Sequence, residues 1–383
     1  MKYNTSATTQ KSVNSKGVYT VFTFRNSIQP MEPYIPGRPI DDVKRAYGLS
    51  NVVKLASNEN PYGCSPAVKE AVIATFGDSA IYPDGYCTKL RSAVSTFYNI
   101  PEDSLIFGAG TDEVISMLGK IFIEPGDEAI TAEVTFSQYA ASVEAMAGVM
   151  VYTPMQGHSF DLNGLLAAIT PKTKLIFIAN PNNPTGTYFP QEIQSAFMAK
   201  VPKNIVVIFD EAYQEYVSAP DYPDTWAALR QYPNAVLLKT FSKVYGISSF
   251  RVGFGVCHPS IIQQMEKIRC PFNVTSQAQA AAIGALSDQN FVQESCIKNR
   301  QVMDKTIAAL KEMDICTIPS QTNFIMADIG RDDREVFEKL MAKGYIIRVG
   351  SAFGMKNFIR ITIGTEEEMA GFIAALKEVL HDS

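Results

Sequence analysis

The chain has 383 residues, of which 46% are hydrophobic and 19% charged, and its formal net charge at pH 7 is −5. This length exceeds the roughly 250 to 300 residues at which single cores stop growing, so we expect at least two structural units. No apolar run approaches the ~18 to 20 residues of a membrane span. Basic residues are scattered through the sequence, which argues against a nucleic-acid-binding surface. We therefore expect neither a membrane nor a nucleic acid as a partner.

Cysteine and histidine spacings exclude several kinds of site. The six cysteines include no C-x-x-C pair, and we expect them to be reduced thiols. The three histidines show no H-E-x-x-H or similar ligand spacing, so no metal is predicted. The G-x-S-x-G and G-x-x-x-x-G-K-[ST] motifs are also absent, which removes serine-hydrolase and P-loop chemistry.

The N-terminal region differs from the rest of the chain. Residues 1–31 contain no Asp or Glu and nine Ser or Thr, and we interpret them as a polar arm. They resemble an organelle transit peptide only faintly, since they hold one Arg and no secretory apolar region. A cytoplasmic location is therefore the expectation. Residues 32–48 are expected to pack on a C-terminal domain.

From Val53 onward, apolar strand runs alternate with capped helices, which predicts an α/β architecture with a mainly parallel central sheet. Ser65 and Pro66 supply the N-cap and first position of a helix that extends to Thr75. A second helix is predicted from Thr111. We assign residues 49–285 to this large domain.

Beyond about residue 285 the pattern changes to long amphipathic helical stretches. Short strands are predicted at residues 322–327, 345–349 and 358–363, followed by a last helix. We interpret residues 286–383 as a smaller α+β domain.

Three predicted apolar strands of the large domain are each followed by polar residues. Residues 175–179 precede N-P-N-N-P-T-G, residues 205–209 precede Asp210, and residues 236–238 precede T-F-S-K at 240–243. The carboxyl ends of parallel strands form a crevice, so these blocks are expected to meet there. Pyridoxal 5'-phosphate (PLP) needs a cation, a carboxylate, a neutral donor and an amine at one crevice. The blocks together therefore indicate a PLP enzyme.

Lys243 is predicted to be catalytic, because an amine at a strand end can bond to the cofactor aldehyde and later move a proton on and off the substrate carbon. Thr240 and Ser242 offer hydroxyl groups beside it. Arg251 offers a fork of donors that suits a phosphate dianion. We predict that all four residues bind the cofactor.

Asp210 is predicted to keep the pyridine nitrogen protonated, which lets the ring accept electrons. Tyr213 and Asn183 can donate hydrogen bonds to the phenolic oxygen. The alternative for Asp210 is a loop carboxylate that caps the next helix. P-N-N-P-T-G taken alone is simply a turn signal, and its position one strand before Asp210 favours a role at the site.

The block G-A-G-T-D-E at 108–113 places bare backbone at a helix start, which is a ready anion site. We assign the phosphate contact to the backbone amides of Gly110 and Thr111, because Asp112 and Glu113 would repel a dianion. Phe136 is a candidate to stack on the pyridine face, and the alternative is an aromatic residue of the core.

Arg348 and Arg360 each interrupt an apolar strand. A buried unpaired guanidinium is costly, so such arginines usually have an anionic partner. That partner is either an internal carboxylate or the acidic end of a substrate.

Together with L-A-S-N-E-N-P-Y-G at 55–63 and Y-P-D at 82–84, these blocks resemble a fold-type-I PLP-dependent aminotransferase, and within it the histidinol-phosphate aminotransferase branch. The resemblance runs from about residue 32 to the C-terminus. It implies that Lys243 carries the covalent link to PLP, and that Tyr82 reaches the cofactor phosphate of a neighbouring subunit in a homodimer with shared active sites. It also implies a substrate pocket formed by Tyr34, Asn58, Arg348 and Arg360.

The activity expected from this resemblance is transamination between L-histidinol phosphate and 2-oxoglutarate in histidine biosynthesis. An aromatic amino-acid aminotransferase, with Arg360 on an α-carboxylate, is the first alternative. Threonine-phosphate decarboxylase is a third relative with similar motifs. A PLP-dependent effector-binding module of a regulator would need a DNA-binding domain, which residues 1–48 are too few and too polar to supply.

Overall fold

A computed structural model describes residues 22–34 and 37–381 of the chain. Residues 1–21 of the predicted polar arm lie outside the described residues. Within the described ranges, no helix is long and apolar enough to cross a membrane.

The helices of the described residues are Ile40–Tyr47 (α1), Pro66–Ile73 (α2), Thr88–Tyr98 (α3), Thr111–Phe122 (α4), Gln138–Glu144 (α5), Leu162–Ala167 (α6), Gln191–Met198 (α7), Thr225–Gln231 (α8), Pro259–Glu266 (α9), Ser276–Ser287 (α10), Gln289–Lys311 (α11), Asp333–Ala342 (α12) and Glu366–His381 (α13). The strands are Val53–Lys54 (β1), Leu105–Gly108 (β2), Glu128–Ala132 (β3), Val149–Thr153 (β4), Met155–Gln156 (β5), Ser159–Phe160 (β6), Thr173–Ala179 (β7), Val206–Asp210 (β8), Ala235–Thr240 (β9), Gly253–Cys257 (β10), Cys316–Thr317 (β11), Phe324–Asp328 (β12), Tyr345–Ile346 (β13), Arg348–Val349 (β14) and Phe358–Thr362 (β15).

The larger sheet has seven strands in the order β2-β10-β9-β8-β7-β3-β4. β9, β8, β7, β3 and β4 are parallel, whereas β10 is antiparallel to both of its neighbours. Every residue of β8 and β9 is buried, as expected for parallel strands with both faces covered. The predicted α/β fold with a mainly parallel central sheet is confirmed.

The helices α2 and α4 each begin directly after a residue that favours a helix N-terminus. Ser65 Oγ accepts a hydrogen bond from Ala67 N at 3.1 Å, so α2 begins as predicted, although it ends at Ile73 and not at Thr75. α4 begins at Thr111, directly after Gly110. The φ of Gly110 is +80°, which is in the left-handed region that favours glycine.

A smaller sheet has the order β11-β12-β15-β14, and all its pairs are antiparallel. α11, α12 and α13 cover a separate hydrophobic core against it, which includes Leu310, Ile325, Leu340 and Phe372. This region matches the predicted smaller α+β part of the fold.

The strand predicted at residues 345–349 is two strands. Tyr345–Ile346 pairs in parallel with β1, whereas Arg348–Val349 pairs antiparallel with β15. Hydrophobic periodicity indicates extended chain here, but it does not reveal that the chain changes partner between the two pairs.

α1 packs near this junction. Val43 is buried in a small cluster with Val52, Ala56, Met341 and Ile346. The segment before the large sheet therefore contacts α12 and β13. The exact domain boundaries stay a prediction.

Candidate active site

A cavity of about 420 Å³ lies at the carboxyl ends of β7, β8 and β9. Among the residues predicted for the site, it is lined by Thr111, Phe136, Asn183, Asp210, Tyr213, Thr240, Ser242, Lys243 and Arg251. The other lining residues are Ser57, Glu59, Asp112, Tyr139, Ala179, Pro181, Ala212, Ser248 and Ser249. In the part of the chain that the structure describes, no group of three or more His, Cys, Asp or Glu residues is placed to hold a metal.

Lys243 extends its amine into the cavity. Its Nζ donates to Ser57 O at 3.3 Å and lies 5.5 Å from the centre of the Tyr213 ring. The turn behind Lys243 is closed by Gly246, which has φ +69° and donates from its N to Lys243 O at 3.0 Å. A Cβ at position 246 would lie 1.7 Å from Gly63 O, so only glycine lets this turn approach residue 63.

Asp210 is a buried carboxylate at the end of β8. Its Oδ2 accepts from Tyr139 OH at 2.8 Å, and its Oδ1 accepts from Ala212 N at 3.2 Å. Burial raises the pKa of Asp210 from 3.8 to about 6, although these two hydrogen bonds and the charge of Lys243 act in the opposite direction. The protein thus holds a carboxyl group that ionises with difficulty unless a positive group approaches.

Tyr213 is oriented by Asn58. Asn58 Nδ2 donates to Tyr213 OH at 2.9 Å, and Asn58 Oδ1 accepts from Thr362 Oγ1 at 2.9 Å. Because its oxygen accepts this bond, the Tyr213 hydroxyl keeps its own hydrogen to donate into the cavity. Asn58 was predicted to bind substrate. The structure buries it, with 1% exposure, as the hydrogen-bond partner of Tyr213, and its predicted contact with substrate stays a prediction.

Asn183 is oriented by Arg360. Arg360 Nη1 donates to Asn183 Oδ1 at 2.5 Å, and Nη2 donates to Ala56 O at 2.7 Å. A guanidinium can only donate, so the amide oxygen of Asn183 faces Arg360 and its NH2 group remains a donor. The predicted donor role of Asn183 is therefore compatible with its orientation.

Arg360 lies between the rings of Phe324 and Phe353, each 5.2 Å from its guanidinium carbon. Burial, together with the smaller effect of the positive charge of Arg348, lowers the pKa of Arg360 to about 10. No residue of the described chain provides a hydrogen-bond partner for the buried Nε of Arg360. The second predicted arginine, Arg348, is its direct partner across β14 and β15.

Two like charges directly opposite each other on neighbouring strands destabilise a sheet. Neither arginine is among the residues that line the cavity, and an anion bound beside the pair would reduce this penalty. Tyr34, the other residue predicted here, has its ring centre 6.0 Å from the Arg348 guanidinium carbon and is 63% exposed.

The part of the cavity beside Arg251 has the features of a phosphate site. The N-terminus of α4 meets Arg251 so closely that a Cβ on Gly110 would lie 2.6 Å from Arg251 Nη2. Hydroxyl groups of Ser242, Ser248 and Ser249 line the same space.

The two acidic residues that were expected to repel an anion have different positions. Glu113 turns back to accept from Ala109 N at 2.6 Å and from Asn273 Nδ2 at 2.8 Å. Asp112 lines the cavity and lies 3.4 Å from Arg251 Nη2. This pair is half-exposed, and such pairs contribute only about 0 to 1 kcal/mol, so an incoming dianion has a weak competitor.

Tyr82 is not part of the cavity within the described chain. Its side chain is 78% exposed and stacks on Phe272 with ring centres 4.7 Å apart. Its predicted role in a neighbouring subunit stays a prediction. Phe136 lines the cavity with its ring edge-to-face to Tyr139, at 5.6 Å and 80°, and its stacking role stays a prediction too.

Sequence analysis missed Tyr139, Ser57, Ser248 and Ser249. The two later serines lie inside the block that follows Lys243, so their hydroxyl groups were a usable signal. Tyr139 had none, because its contact with Asp210 depends on how α5 packs against β7, where the Tyr139 ring stacks on Phe177 at 4.9 Å.

The donor set fits PLP. An amine, a buried carboxylate, two neutral donors and a helix N-terminus with an arginine face one cavity. Asp210 in particular has a pKa raised by burial, and a protonated ring nitrogen beside it would stabilise its ionised form.

Comparison with known proteins places this arrangement in a family. The family model for aminotransferase class I and II matches residues 50–376. A histidinol-phosphate aminotransferase from Halalkalibacterium halodurans is 45% identical over 91% of this chain and 95% of its own length. One from Moorella thermoacetica is 41% identical over 99% of this chain and 100% of its own.

Solved structures give the same picture. The histidinol-phosphate aminotransferase of Sinorhizobium meliloti, solved in complex with pyridoxal-5'-phosphate, has a TM-score of 0.87 and 28% identity, and the match covers 96% of this chain and 100% of that one. The aspartate aminotransferase of Thermus thermophilus with maleate has a TM-score of 0.82 at 20% identity, covering 94% and 100%, which shows a shared fold.

The chain belongs to the aminotransferase class I and II family. The predictions of a fold-type-I architecture and of a PLP-dependent aminotransferase acting on an amino compound and an oxo acid are confirmed.

In cofactor-free protein, Asp210 is expected to make stability fall as the pH rises. Its pKa is raised from 3.8 to about 6 on folding, so the folded state binds the proton more tightly than the unfolded chain. This contribution is fully present below the unfolded value and is lost as the pH rises through the folded value. It amounts to up to about 3 kcal/mol.

Urea unfolding of the unmodified protein and of Asp210→Asn between about pH 4 and pH 7 measures it. Tyr139→Phe removes a hydrogen bond that lowers this pKa, so its loss of stability should extend to higher pH. A difference between unmodified protein and Asp210→Asn that stays constant across the range contradicts the expectation.

Proposed function

We propose that the chain catalyses transamination between L-histidinol phosphate and 2-oxoglutarate, with PLP bound in the cavity. Its support is the name shared by the relatives with 41–45% identity over nearly the whole chain. The structural observation that favours a phosphorylated substrate is the Arg348–Arg360 pair, since the two arginines are directly opposite each other in the register of β14 and β15.

Several residues of the cavity have a proposed task toward the cofactor. Lys243 would hold it covalently, and Asp210 would keep a proton on the ring nitrogen. Tyr213 OH and the NH2 group of Asn183 would donate to the phenolic oxygen. The N-terminus of α4 would hold the phosphate with Thr240, Ser242 and Arg251. When bound, PLP supplies an electron sink that stabilises negative charge on the substrate carbon.

Lys243 is also the base of the reaction. Its Nζ takes the proton from the substrate carbon that bears the amine. In the second half-reaction it returns a proton to the corresponding carbon of the oxo acid, so one group serves as acid and base. Ser57 O, which accepts from Nζ in the structure, keeps the amine directed toward the cavity.

Borohydride treatment of the holoenzyme is expected to fix the cofactor irreversibly on Lys243, which peptide mapping will locate. Lys243→Ala should bind PLP without a covalent link and lose turnover, because acid–base catalysis alone is worth about 10²- to 10⁴-fold. Lys174→Arg, a change at a half-exposed lysine of β7, keeps Lys243 and should still be labelled there. A pyridoxyl group found on another lysine contradicts the site.

The possible amino donors differ in the anionic group that the enzyme can bind. Histidinol phosphate has no α-carboxylate, so its phosphate is its anionic group. Two arginines on neighbouring strands suit a dianion better than a single carboxylate requires. An aromatic amino acid would need only Arg360.

Arg348→Ala and Arg360→Ala are expected to lower kcat/KM for histidinol phosphate by on the order of 10- to 150-fold each, the value of one lost charge-assisted contact. Arg360→Ala should also impair glutamate, because Arg360 orients Asn183. Arg348→Ala should impair glutamate less. Half-reactions of the PLP form, followed by absorbance, measure all four combinations.

Arg331→Ala, at an exposed position of the same region, is the control and should leave both substrates unaffected. If the unmodified enzyme reacts faster with phenylalanine than with histidinol phosphate, and Arg348→Ala has no effect, the aromatic aminotransferase replaces the proposed activity.

We further propose a homodimer in which Tyr82 completes the phosphate site of the other subunit. Its exposure of 78%, with Ile81 at 68% and Tyr86 at 70% close to it in the sequence, supports this proposal, since exposed apolar side chains that form a patch mark interaction sites. A cytoplasmic location is proposed because the reaction uses small soluble molecules, and cell fractionation tests it.

Mixing Tyr82→Phe subunits with Lys243→Ala subunits is expected to give hybrid dimers with one unmutated site, and so more activity than the average of the two separate samples. Subunit exchange is verified by mass spectrometry. Tyr86→Phe mixed with Lys243→Ala is the control and should give only the average. Equal activity in mixed and unmixed Tyr82→Phe samples would exclude shared sites.

A further inference from the structure

A buried lysine lies under the cavity and has no task in the chemistry above. Lys239 directly precedes Thr240 on β9, and successive strand residues point to opposite faces. Thr240 lines the cavity, whereas the side chain of Lys239 is only 1% exposed. Lysine is almost never fully buried unless it is paired.

The partners of Lys239 lie in the turn that follows β8. Lys239 Nζ donates to Gln214 Oε1 at 2.8 Å and lies 2.8 Å from Glu215 Oε1. Both residues belong to the single helical turn Gln214–Tyr216, which begins directly after Tyr213. Lys239 therefore ties the turn that carries Tyr213 to the strand that leads to Lys243.

Glu211 is a second buried acid of this group, at 2% exposure, and it directly follows Asp210. The side chains of Thr225 and Tyr222 lie beside its carboxyl group. Burial raises the pKa of Glu211 to about 7, while the positive charge of Lys239 opposes the rise. We name Lys239, Glu211 and Glu215 the Lys239 cluster.

Tyr222 connects the Lys239 cluster to the chain that follows β7, the third of the strands that end at the cavity. Its hydroxyl donates to Asn180 O, the carbonyl at the start of the turn that holds Asn183. In two places, a residue that lines the cavity is therefore followed directly by residues on the side of Lys239. Asp210 is followed by Glu211, and Tyr213 is followed by Gln214 and Glu215.

Stability alone does not explain such a group. Replacing a buried ion pair by apolar residues of similar volume is often neutral or stabilising, whereas removing one partner is costly. The contribution of the Lys239 cluster lies in fixing which parts of the chain meet.

We propose that the Lys239 cluster is a positioning unit that fixes Asp210 and Tyr213 relative to Lys243, through bonds on the face of the sheet opposite the cavity. The cluster acts on the aminotransferase reaction whichever amino donor the enzyme uses, so it does not depend on histidinol phosphate being the substrate.

The decisive comparison is between Lys239→Met and the double variant Lys239→Met/Glu215→Gln. The single change leaves Glu215 buried and unpaired, so its melting temperature should fall. The double change removes that unpaired charge and should recover most of the melting temperature. Both should react slowly, because neither holds the turn at Tyr213 against β9.

Three measurements on holoenzyme separate positioning from stability. We expect kcat of both variants to fall on the order of 10- to 100-fold, the effect of about 1 Å of displacement. The pH at which the absorbance of the bound cofactor titrates should move by about one unit, because Asp210 and Tyr213 set it. PLP should dissociate faster, as measured by dilution and fluorescence.

Two further variants complete the test. Tyr222→Phe keeps the ion pair and removes only the bond to Asn180, so we expect KM to rise roughly 2- to 10-fold with kcat little changed. Lys174→Met is the matched control: Lys174 lies on β7 and is paired with Asp127 at 3.7 Å and 39% exposed, and its removal should change none of the three measurements.

A double variant with unmodified kcat, absorbance titration and PLP release overturns the proposal, as does a Lys174→Met variant that is impaired to the same extent. If Lys239→Met fails to fold, the double variant and Glu215→Gln alone decide the question by the same measurements. Loss of activity toward histidinol phosphate only, with normal cofactor properties, would count against the proposed substrate and not against the positioning role.

Discussion

The parallel pairing of β7, β8 and β9 is the constraint on which the site depends. Ala179 pairs with Asp210, and Asp210 pairs with Leu238, so the chain leaves the three strands at nearly the same level. Each strand then delivers its next residues into one space. An amide, a carboxylate and an amine from separate parts of the sequence therefore meet without any long loop, and the rigidity of a buried sheet fixes their spacing.

The residues that face the cavity could be predicted because each has a local signal, a polar block directly after an apolar strand. Their partners could not. Asn58 reaches Tyr213 across 155 positions, and Arg360 reaches Asn183 across 177. A strand arginine indicates that some partner must exist. Only the packing of the two sheets shows that one partner is the amide that also has to donate into the cavity.

The lysine on β9 shows a different reason for error. The apolar run predicts a strand of residues 236–238, whereas β9 extends from Ala235 to Thr240. Lys239 ended the predicted strand because a charged residue argues against burial. Its partners Gln214 and Glu215 come from the turn after β8, so the information that permits a buried lysine lies in the tertiary fold and not in the strand itself.

The burial of Asp210 explains why the site favours a cationic ring. The same low-dielectric surroundings that raise its pKa to about 6 strengthen its attraction to any positive charge that replaces water. Tyr139 and Ala212 supply only neutral donors, which stabilise the carboxylate without satisfying its charge. In the proposed role of Asp210, a protonated ring nitrogen would lie beside the carboxylate. The positive ring would keep Asp210 ionised, and the carboxylate would keep the ring nitrogen protonated. Moving Asp210 to a more exposed position would lower its pKa and weaken that mutual stabilisation at the same time.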